Sequence, residues 1–294
     1  MNNSLTKKLT PYAFIAPLVI FFTLFMAYPI ISSIVISFFN WTGINQSPLE
    51  QFVGLKNFIK LFSDKYFIFA LRNTSMFVVA TVIFQNLYGY FLALLIYLGR
   101  FKFSTLFRAI IFFPTLLAVV IVALVWRQIL TIDGIANFIL NNIGIKNINW
   151  LVNWKIAMPV IIFVNIWQWG GYNMVIFYAG IQSVDPQLLE AAMIDGAGLW
   201  QIITRIITPS IKPTIVIAAI LTALGGFKVF DLIYVLTRSG PAHTTTVITT
   251  YVYWLAFAPQ GKVNFSYSAA VVIIFFLVVL AISFFRIRVI GRNR

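Results

Sequence analysis

Cysteine is missing from this 294-residue chain, histidine occurs once, and aspartate and glutamate together number seven. The absence of cysteine excludes disulfides and thiolate metal sites. The single His243 gives no cluster on which to found a metal site or a Ser-His-Asp triad. The carboxylates are Glu50, Asp64, Asp133, Asp185, Glu190, Asp195 and Asp231, and only Asp231 approaches membrane depth. No paired intramembrane carboxylates are therefore at hand for general acid–base work. A phosphate-cradling loop is lacking too, since it needs G-x-x-x-x-G-K-[ST]. The one Gly-Lys pair, Gly261-Lys262, has Ala256 where the first glycine belongs and Val263 where the hydroxyl belongs. The chain is expected to be no enzyme and not to bind ATP itself. Charge is scarce, at 10% of residues against about 25% in soluble domains.

What fills the chain is apolar. Hydrophobic residues make up 61%, more than one aqueous core can hide, so the expected solvent is lipid. Stretches at about 12–38, 69–98, 107–130, 156–181, 214–236 and 267–285 are each long enough to span a bilayer, which takes about 20 residues. The reading is an all-α membrane protein with six transmembrane helices in one domain, 12–285, flanked by termini 1–11 and 286–294. Pro17, Pro29 and Pro114 fall inside these stretches, where neighbouring helices satisfy the freed carbonyls. The opening MNNSLTKKLT resembles a signal peptide, but the apolar run that follows is too long for one, so an uncleaved first helix is expected. The net charge of +14 would point a soluble protein towards nucleic acid. No long basic run interleaved with aromatics is present, so no nucleic acid is expected; the positive residues instead set membrane orientation.

With the N-terminus inside, the short inner segments hold Lys7, Lys8, Arg100, Lys102, Arg108, Arg205, Lys212, Arg286, Arg288, Arg292 and Arg294. The longer outer ones hold Lys56, Lys60, Lys65, Lys146, Lys155 and Lys262. The bias places both termini in the cytoplasm. Trp41, Trp150, Trp154 and Trp254 lie in the outer segments, where interfacial aromatics belong.

This orientation puts 186–213 inside, between the fourth and fifth helices. Asp185 before Pro186 is a helix start. The apolar Leu188, Leu189, Met193 and Ile194 need a cover in a cytoplasmic loop, and Ala191 and Ala192 are small enough for close approach. Asp195-Gly196-Ala197-Gly198 is a turn signal. A second helical stretch follows, with Trp200, Ile203 and Ile207 expected on one face and Gln201, Arg205 and Thr208 on the other. Pro209 and Pro213 then stop it and restart the chain as the fifth helix. By these features alone, an amphipathic connector lying on the bilayer is an equal reading.

The spacing Glu190-Ala191-Ala192, three residues, Gly196, nine residues, Ile206, one residue, Thr208-Pro209 resembles the docking signature of membrane-spanning permease subunits of binding-protein-dependent ABC importers, carbohydrate branch. Thr208 stands where the family has Leu, which removes one packing contact. Further matches run along nearly the whole chain: an apolar entry around Tyr28-Pro29, FVGLKNF at Phe52–Phe58, LRNT at Leu71–Thr74, INWL at Ile148–Leu151, NIWQ at Asn165–Gln168, AGIQSVDPQLLEAAMIDGAG at Ala179–Gly198 and FDLIYVLTRSGP at Phe230–Pro241. The resemblance implies the type I importer permease fold in a bacterial cell membrane. It implies a coupling helix held in a cleft of an ATP-hydrolysing subunit, with Glu190, Ala191, Ala192, Asp195, Gly196, Ile206 and Pro209 as coupling residues. It also implies a second homologous permease, two ATP-binding subunits that use ATP and Mg, an extracytoplasmic sugar-binding protein and a carbohydrate substrate.

A sugar path needs hydrogen-bonding groups and aromatic faces inside the bundle. The fourth helix offers Asn165, Gln168, Trp169, Tyr172 and Asn173; the spacing of all but Gln168 puts them on one face. Inter-helix hydrogen bonding and aromatic packing are the structural alternative. The fifth helix offers Thr222, Gly225, Gly226 and Lys228, the glycines permitting a bend or close approach. Lys228 and Asp231 are spaced to pair as ions. Gln85 and Asn86 are weaker candidates. An ion-coupled secondary transporter would require a sodium site or intramembrane carboxylates, and a membrane-embedded enzyme a catalytic cluster. Within the importer class, glycerol-3-phosphate is the alternative substrate, with Lys228 as its cation.

Overall fold

A computed structural model describes residues 3–43, 47, 49–99, 102–238, 240, 243–257 and 263–291, and side chains within 12 and 14–281. Arg100, Ser239, Pro241, Gly261, Lys262, Arg292 and Arg294 lie outside the described residues, as do the side chains of Lys7, Lys8, Arg286 and Arg288. The described residues are helical with no strand; a single bridge joins Phe39 to Phe52. Two compact units are present, residues 1–67 with 251–294, and residues 68–250.

In the first unit a helix begins at Asn3, and its stretch α1, Phe14–Ile36, is long and apolar enough to cross a membrane. The chain then turns, closed by Asn40 N–H to the Gln51 carbonyl at 2.8 Å and Val53 N–H to the Phe38 carbonyl at 2.9 Å. Helix α2, Lys56–Leu61, is tied back by Asn57, whose Nδ2 donates to the carbonyls of Ser37 and Phe39, each at 2.8 Å. Asp64 follows as a knot. Its Oδ1 accepts from the backbone of Tyr66 and Phe67, and its Oδ2 accepts from the hydroxyls of Tyr251 and Tyr267. Burial works to raise the Asp64 carboxyl, but the Tyr251 and Tyr267 hydrogen bonds and the two backbone ones outweigh it and hold it below its ordinary value.

The second unit continues the long helix α3, Lys65–Gly99, which carries a π-turn at Thr81–Gln85. Next come α4, Ser104–Leu116, and α5, Val119–Ile129, meeting at 95°. The expected single span at 107–130 is thus a bent pair. Hydropathy does not register the break: Pro114 sits in a 3-10 turn, Phe113–Leu116, and Leu117 and Ala118 are extended. A short helix α6, Ile135–Asn142, follows, then α7, Ala157–Gln182. After α7 come α8, Pro186–Ile194, and α9, Leu199–Ser210. Helix α10, Lys212–Phe227, leaves α9 at 70°, as Pro209 and Pro213 require. The expected fifth span 214–236 is interrupted, because α10 stops at Phe227 and α11, Asp231–Thr237, restarts after a three-residue break. Helix α12, Ile248–Phe257, leads out of the second unit, and α13, Phe265–Gly291, belongs to the first. Helices α2, α6 and α12 fall in segments read from sequence only as connections, each too short to register as a span.

Between apolar helices in lipid, close packing and interhelical hydrogen bonds replace the hydrophobic drive. Glycine supplies the close packing. A Cβ at Gly171 of α7 would lie 2.2 Å from the Ile111 carbonyl oxygen of α4, and one at Gly89 of α3 would lie 2.6 Å from the Asn173 Cβ. The LRNT residues supply hydrogen bonds: Asn73 Nδ2 donates to the carbonyls of Thr244 and Thr246, and the Thr74 hydroxyl accepts from Ile248 N–H. Asn137 organises the loop after α5, donating to the carbonyls of Thr131, Ile132 and Ile148 and accepting from Ile148 N–H and the Trp150 indole.

Two apolar clusters divide the second unit along α7. Met158, Ile161, Ile162 and Val164 pack with Phe77, Val122, Leu232, Ile233 and Leu236. Met174, Phe177 and Ile181 pack with Ala93, Ile96, Ile202, Ile207, Ile211 and Ala218. The stretch of α7 between them, 165–173, holds the polar residues.

Candidate functional site: a polar cavity and an exposed helix

A cavity of about 350 Å³ opens at that level, lined from α3 by Gln85, from α7 by Asn165, Trp169, Tyr172 and Asn173, and from α10 by Leu221, Thr222, Gly225 and Gly226. Lys228, Val229 and Phe230 of the break between α10 and α11, with Asp231 and Leu232 of α11 and Val119, complete it. Of the pathway residues expected from sequence, Asn165, Trp169, Tyr172, Asn173, Thr222, Gly226 and Lys228 line this one cavity, as does the weaker candidate Gln85. Gln168 does not. One residue before Trp169, about 100° round the helix, it is fully buried against the bend between α4 and α5. Its Nε2 donates to the Leu117 carbonyl at 3.2 Å, and its own backbone carbonyl accepts from the Thr115 hydroxyl at 2.9 Å. Its role in the structure is to brace the bend.

The lining residues fall into two kinds. Asn173 and Thr222 are buried at 1% and 7% exposure and belong to a closed network. Asn173 Nδ2 donates to Asn86 Oδ1 at 3.2 Å and to the Thr222 hydroxyl at 3.0 Å, while its Oδ1 accepts from Gln85 Nε2 at 3.2 Å. Asn86 Nδ2 donates to the Val82 carbonyl and to Thr222, and the Thr222 hydroxyl donates to the Ala218 carbonyl. This network knits α3, α7 and α10 together, as the structural alternative had it. The other kind is open: Asn165 and Trp169 are half-buried, Tyr172 and Lys228 are exposed, and the Trp169 and Tyr172 rings meet edge to face at 6.4 Å. Among the described residues Lys228 and Asp231 form no ion pair; both face the cavity. Val119, Leu221, Val229, Phe230 and Leu232 had not been singled out. Being apolar, they carry no sequence signal that separates a cavity wall from core.

The segment 186–213 is built as its residues require. Asp185 Oδ1 accepts from Gln187 N–H at 2.9 Å, with Pro186 in the first turn of α8. At the far end Ala197 N–H reaches the Ala192 carbonyl and Gly196 N–H the Met193 carbonyl, with Gly196 at φ +80°. This paired ending demands a left-handed residue, which is why glycine stands there. Leu189, Ala192, Ala197 and Ile206 pack against the second apolar cluster. Glu190 and Ala191 are exposed, as are Leu188, Met193, Ile194 and Leu199. The expectation for α9 is corrected: Trp200 is 75% exposed, and the buried face is Ile202 and Ile207. Residues 202–207 form a π-turn, so inward positions recur every five residues instead of every three or four, and an α-helical projection assigns Trp200 to the wrong face.

Comparison with known proteins accords with this architecture. The model of the binding-protein-dependent transport system inner membrane component family matches residues 52–292. The lactose transport system permease protein LacF of Rhizobium radiobacter is 33% identical over 93% of this chain and 91% of its own. The trehalose/maltose transport system permease protein MalF of Thermococcus litoralis is 30% identical over 100% of this chain and 99% of its own. A chain of a bacterial alginate ABC transporter, solved in complex with an alginate pentasaccharide-bound periplasmic protein, superposes with a TM-score of 0.82 at 29% identity, over 96% of this chain and 94% of that one. Membership of this family leaves no place for the ion-coupled and enzymatic alternatives. The chain belongs to the binding-protein-dependent transport system inner membrane components, as a non-catalytic, multi-pass permease subunit of an ABC importer.

Proposed function

We propose that this chain forms half of the translocation pathway for a carbohydrate and is driven through α8 by ATP-hydrolysing partners. The observation that carries the substrate class is the cavity between the two apolar clusters. It offers an aromatic corner, Trp169 and Tyr172, beside hydrogen-bonding groups, Asn165, Lys228 and Asp231, which suits a ligand with both C–H faces and hydroxyls. The similar proteins named above handle lactose, trehalose or maltose, and alginate, which supports the same class. Lys228 would serve a phosphorylated substrate such as glycerol-3-phosphate equally as a cation, but Asp231 at the same cavity offsets it.

The proposed assembly contains a second homologous permease, two ATP-binding subunits that use ATP and Mg, and an extracytoplasmic sugar-binding protein. No cofactor is assigned to this chain. Six spans rest on the apolar stretches, both termini in the cytoplasm on the Lys and Arg distribution, and a bacterial cell membrane on the family. Glu190, Ala191, Ala192, Asp195, Gly196, Ile206 and Pro209 are the proposed coupling residues. Their support is the exposed apolar surface of α8, which needs a cover outside the bilayer. Trp169→Ala, which removes the larger aromatic wall, is expected to lower sugar uptake by proteoliposomes about tenfold, the equivalent of about 1.4 kcal/mol of lost contact. Unchanged uptake in both Trp169→Ala and Asn165→Leu would remove the cavity from the pathway.

A further inference from the structure

The coupling segment and the cavity are joined by a hydrogen-bonded route that begins at the departure from the family signature. Thr208, which stands where the resemblance has leucine, donates its hydroxyl proton to the Ile203 carbonyl at 2.7 Å. A threonine hydroxyl has one proton. Its 2.7 Å contact with the Tyr90 hydroxyl therefore has Tyr90 as donor. The sequence Tyr90 to Thr208 to Ile203 thus has a fixed direction, and a leucine at 208 would leave the Tyr90 hydroxyl without this acceptor. The Ile203 carbonyl lies in the π-turn Ile202–Ile207; such turns are frequent at functional sites. The Tyr90 ring also meets Phe177 of α7 edge on at 5.5 Å.

On α3, Tyr90 is one helical turn from Asn86, so the two share a face. Asn86 accepts from Asn173 and donates to Thr222, both cavity residues. A π-turn, Thr81–Gln85, ends immediately before Asn86, and Gln85 lines the cavity and bonds Asn173. The contacts thus run from α9 through two hydroxyls to α3, and by one helical turn to the network that holds the cavity walls.

We propose that Tyr90 and Thr208 are positioning residues that transmit the movement of the coupling segment to the cavity of this permease. The proposal rests on the importer reading above. Its test uses the whole complex in lipid, with Tyr90→Phe, Thr208→Val and the double variant. Each single change removes the hydroxyl and keeps the shape. Three quantities are read: ATP hydrolysis without binding protein, its stimulation by sugar-loaded binding protein, and sugar transported per ATP.

The expected result is a stimulation ratio reduced about fivefold in either single variant, the low end of ordinary allosteric coupling, with fewer sugars moved per ATP. The double variant is expected to fall no further, because both changes break one link. Basal and stimulated hydrolysis falling in proportion, with the ratio unchanged, would mark the contact as structural and overturn the proposal. Additive losses in the double variant would overturn it as well. A wild-type complex that binding protein does not stimulate at all would overturn the importer reading itself, which separates the two failures.

Discussion

Glu190→Lys is expected to abolish the stimulation of ATP hydrolysis by sugar-loaded binding protein, while the chain still inserts and stays folded. Glu190 is exposed on α8, and surface substitutions of this kind change stability by only about 0.5 kcal/mol in either direction. Its reversal is therefore silent within the chain and acts only on whatever α8 meets. Gly196→Val should reach the same phenotype by another route. The space around Gly196 is open, with no atom within 4 Å of a Cβ placed there, but its φ of +80° is left-handed. Holding a β-branched residue there costs roughly 1–2 kcal/mol. Relief of that strain undoes the paired ending at Met193 and Ala192 and turns the exposed end of α8 away from its dock. The check is stimulated ATP hydrolysis in the assembled complex, with insertion followed by protease protection. Wild-type stimulation in both variants would show that α8 is not where the drive enters.

Gly171→Val is expected to produce the largest loss of stability of any single substitution discussed for this chain. The obstructing atoms are backbone: the Ile111 carbonyl oxygen at 2.2 Å, its carbon at 2.8 Å and the Phe112 Cα at 2.8 Å. No rotamer change relieves such a contact, so α4 must move away from α7. Overpacking a core ordinarily costs ~1–3 kcal/mol, and a backbone clash belongs at or beyond the top of that range. The same movement pulls on the Thr115–Gln168 and Gln168–Leu117 hydrogen bonds that brace the bend. Gly170→Ala supplies the contrast. Its Cβ would meet only the Tyr88 ring, at 2.3 Å, and that ring can swing. Gly225→Ala meets nothing within 4 Å and should not destabilise. Thermal unfolding in detergent should rank the three as Gly171 worst, Gly170 intermediate and Gly225 harmless. A Gly171 variant as stable as wild type would mean that α4 and α7 are not in this contact.

The order of those effects shows which parts of the fold were legible from sequence. The ends of α8 were readable to the residue, because they are made by local rules: an acceptor before proline starts the helix, and glycine at a left-handed position ends it. The face of α7 that lines the cavity was readable because Asn165, Trp169, Tyr172 and Asn173 follow the 3.6-residue period. Gln168 was kept as a candidate for its polarity although its spacing left it off that face; its position on the helix turns it towards the bend. Trp200 misled for the opposite reason, since the 3.6-residue period was applied across a π-turn that does not obey it. The 95° break after Leu116 was signalled only by Pro114, and the gap between α10 and α11 only by Gly225 and Gly226, neither of which gives a direction or an angle. Hydropathy measures how apolar a stretch is and carries no information about its direction. The Asn86, Asn173 and Thr222 network and the Tyr90–Thr208 contact join residues far apart in the chain, and a single sequence has no local pattern for such pairs.

The measurement that bears most directly on this account is sugar uptake by proteoliposomes holding the assembled complex, with ATP inside and binding protein outside. The account predicts uptake that requires both and that ceases when either is withheld. Uptake driven by a proton or sodium gradient in the absence of ATP and binding protein would contradict it.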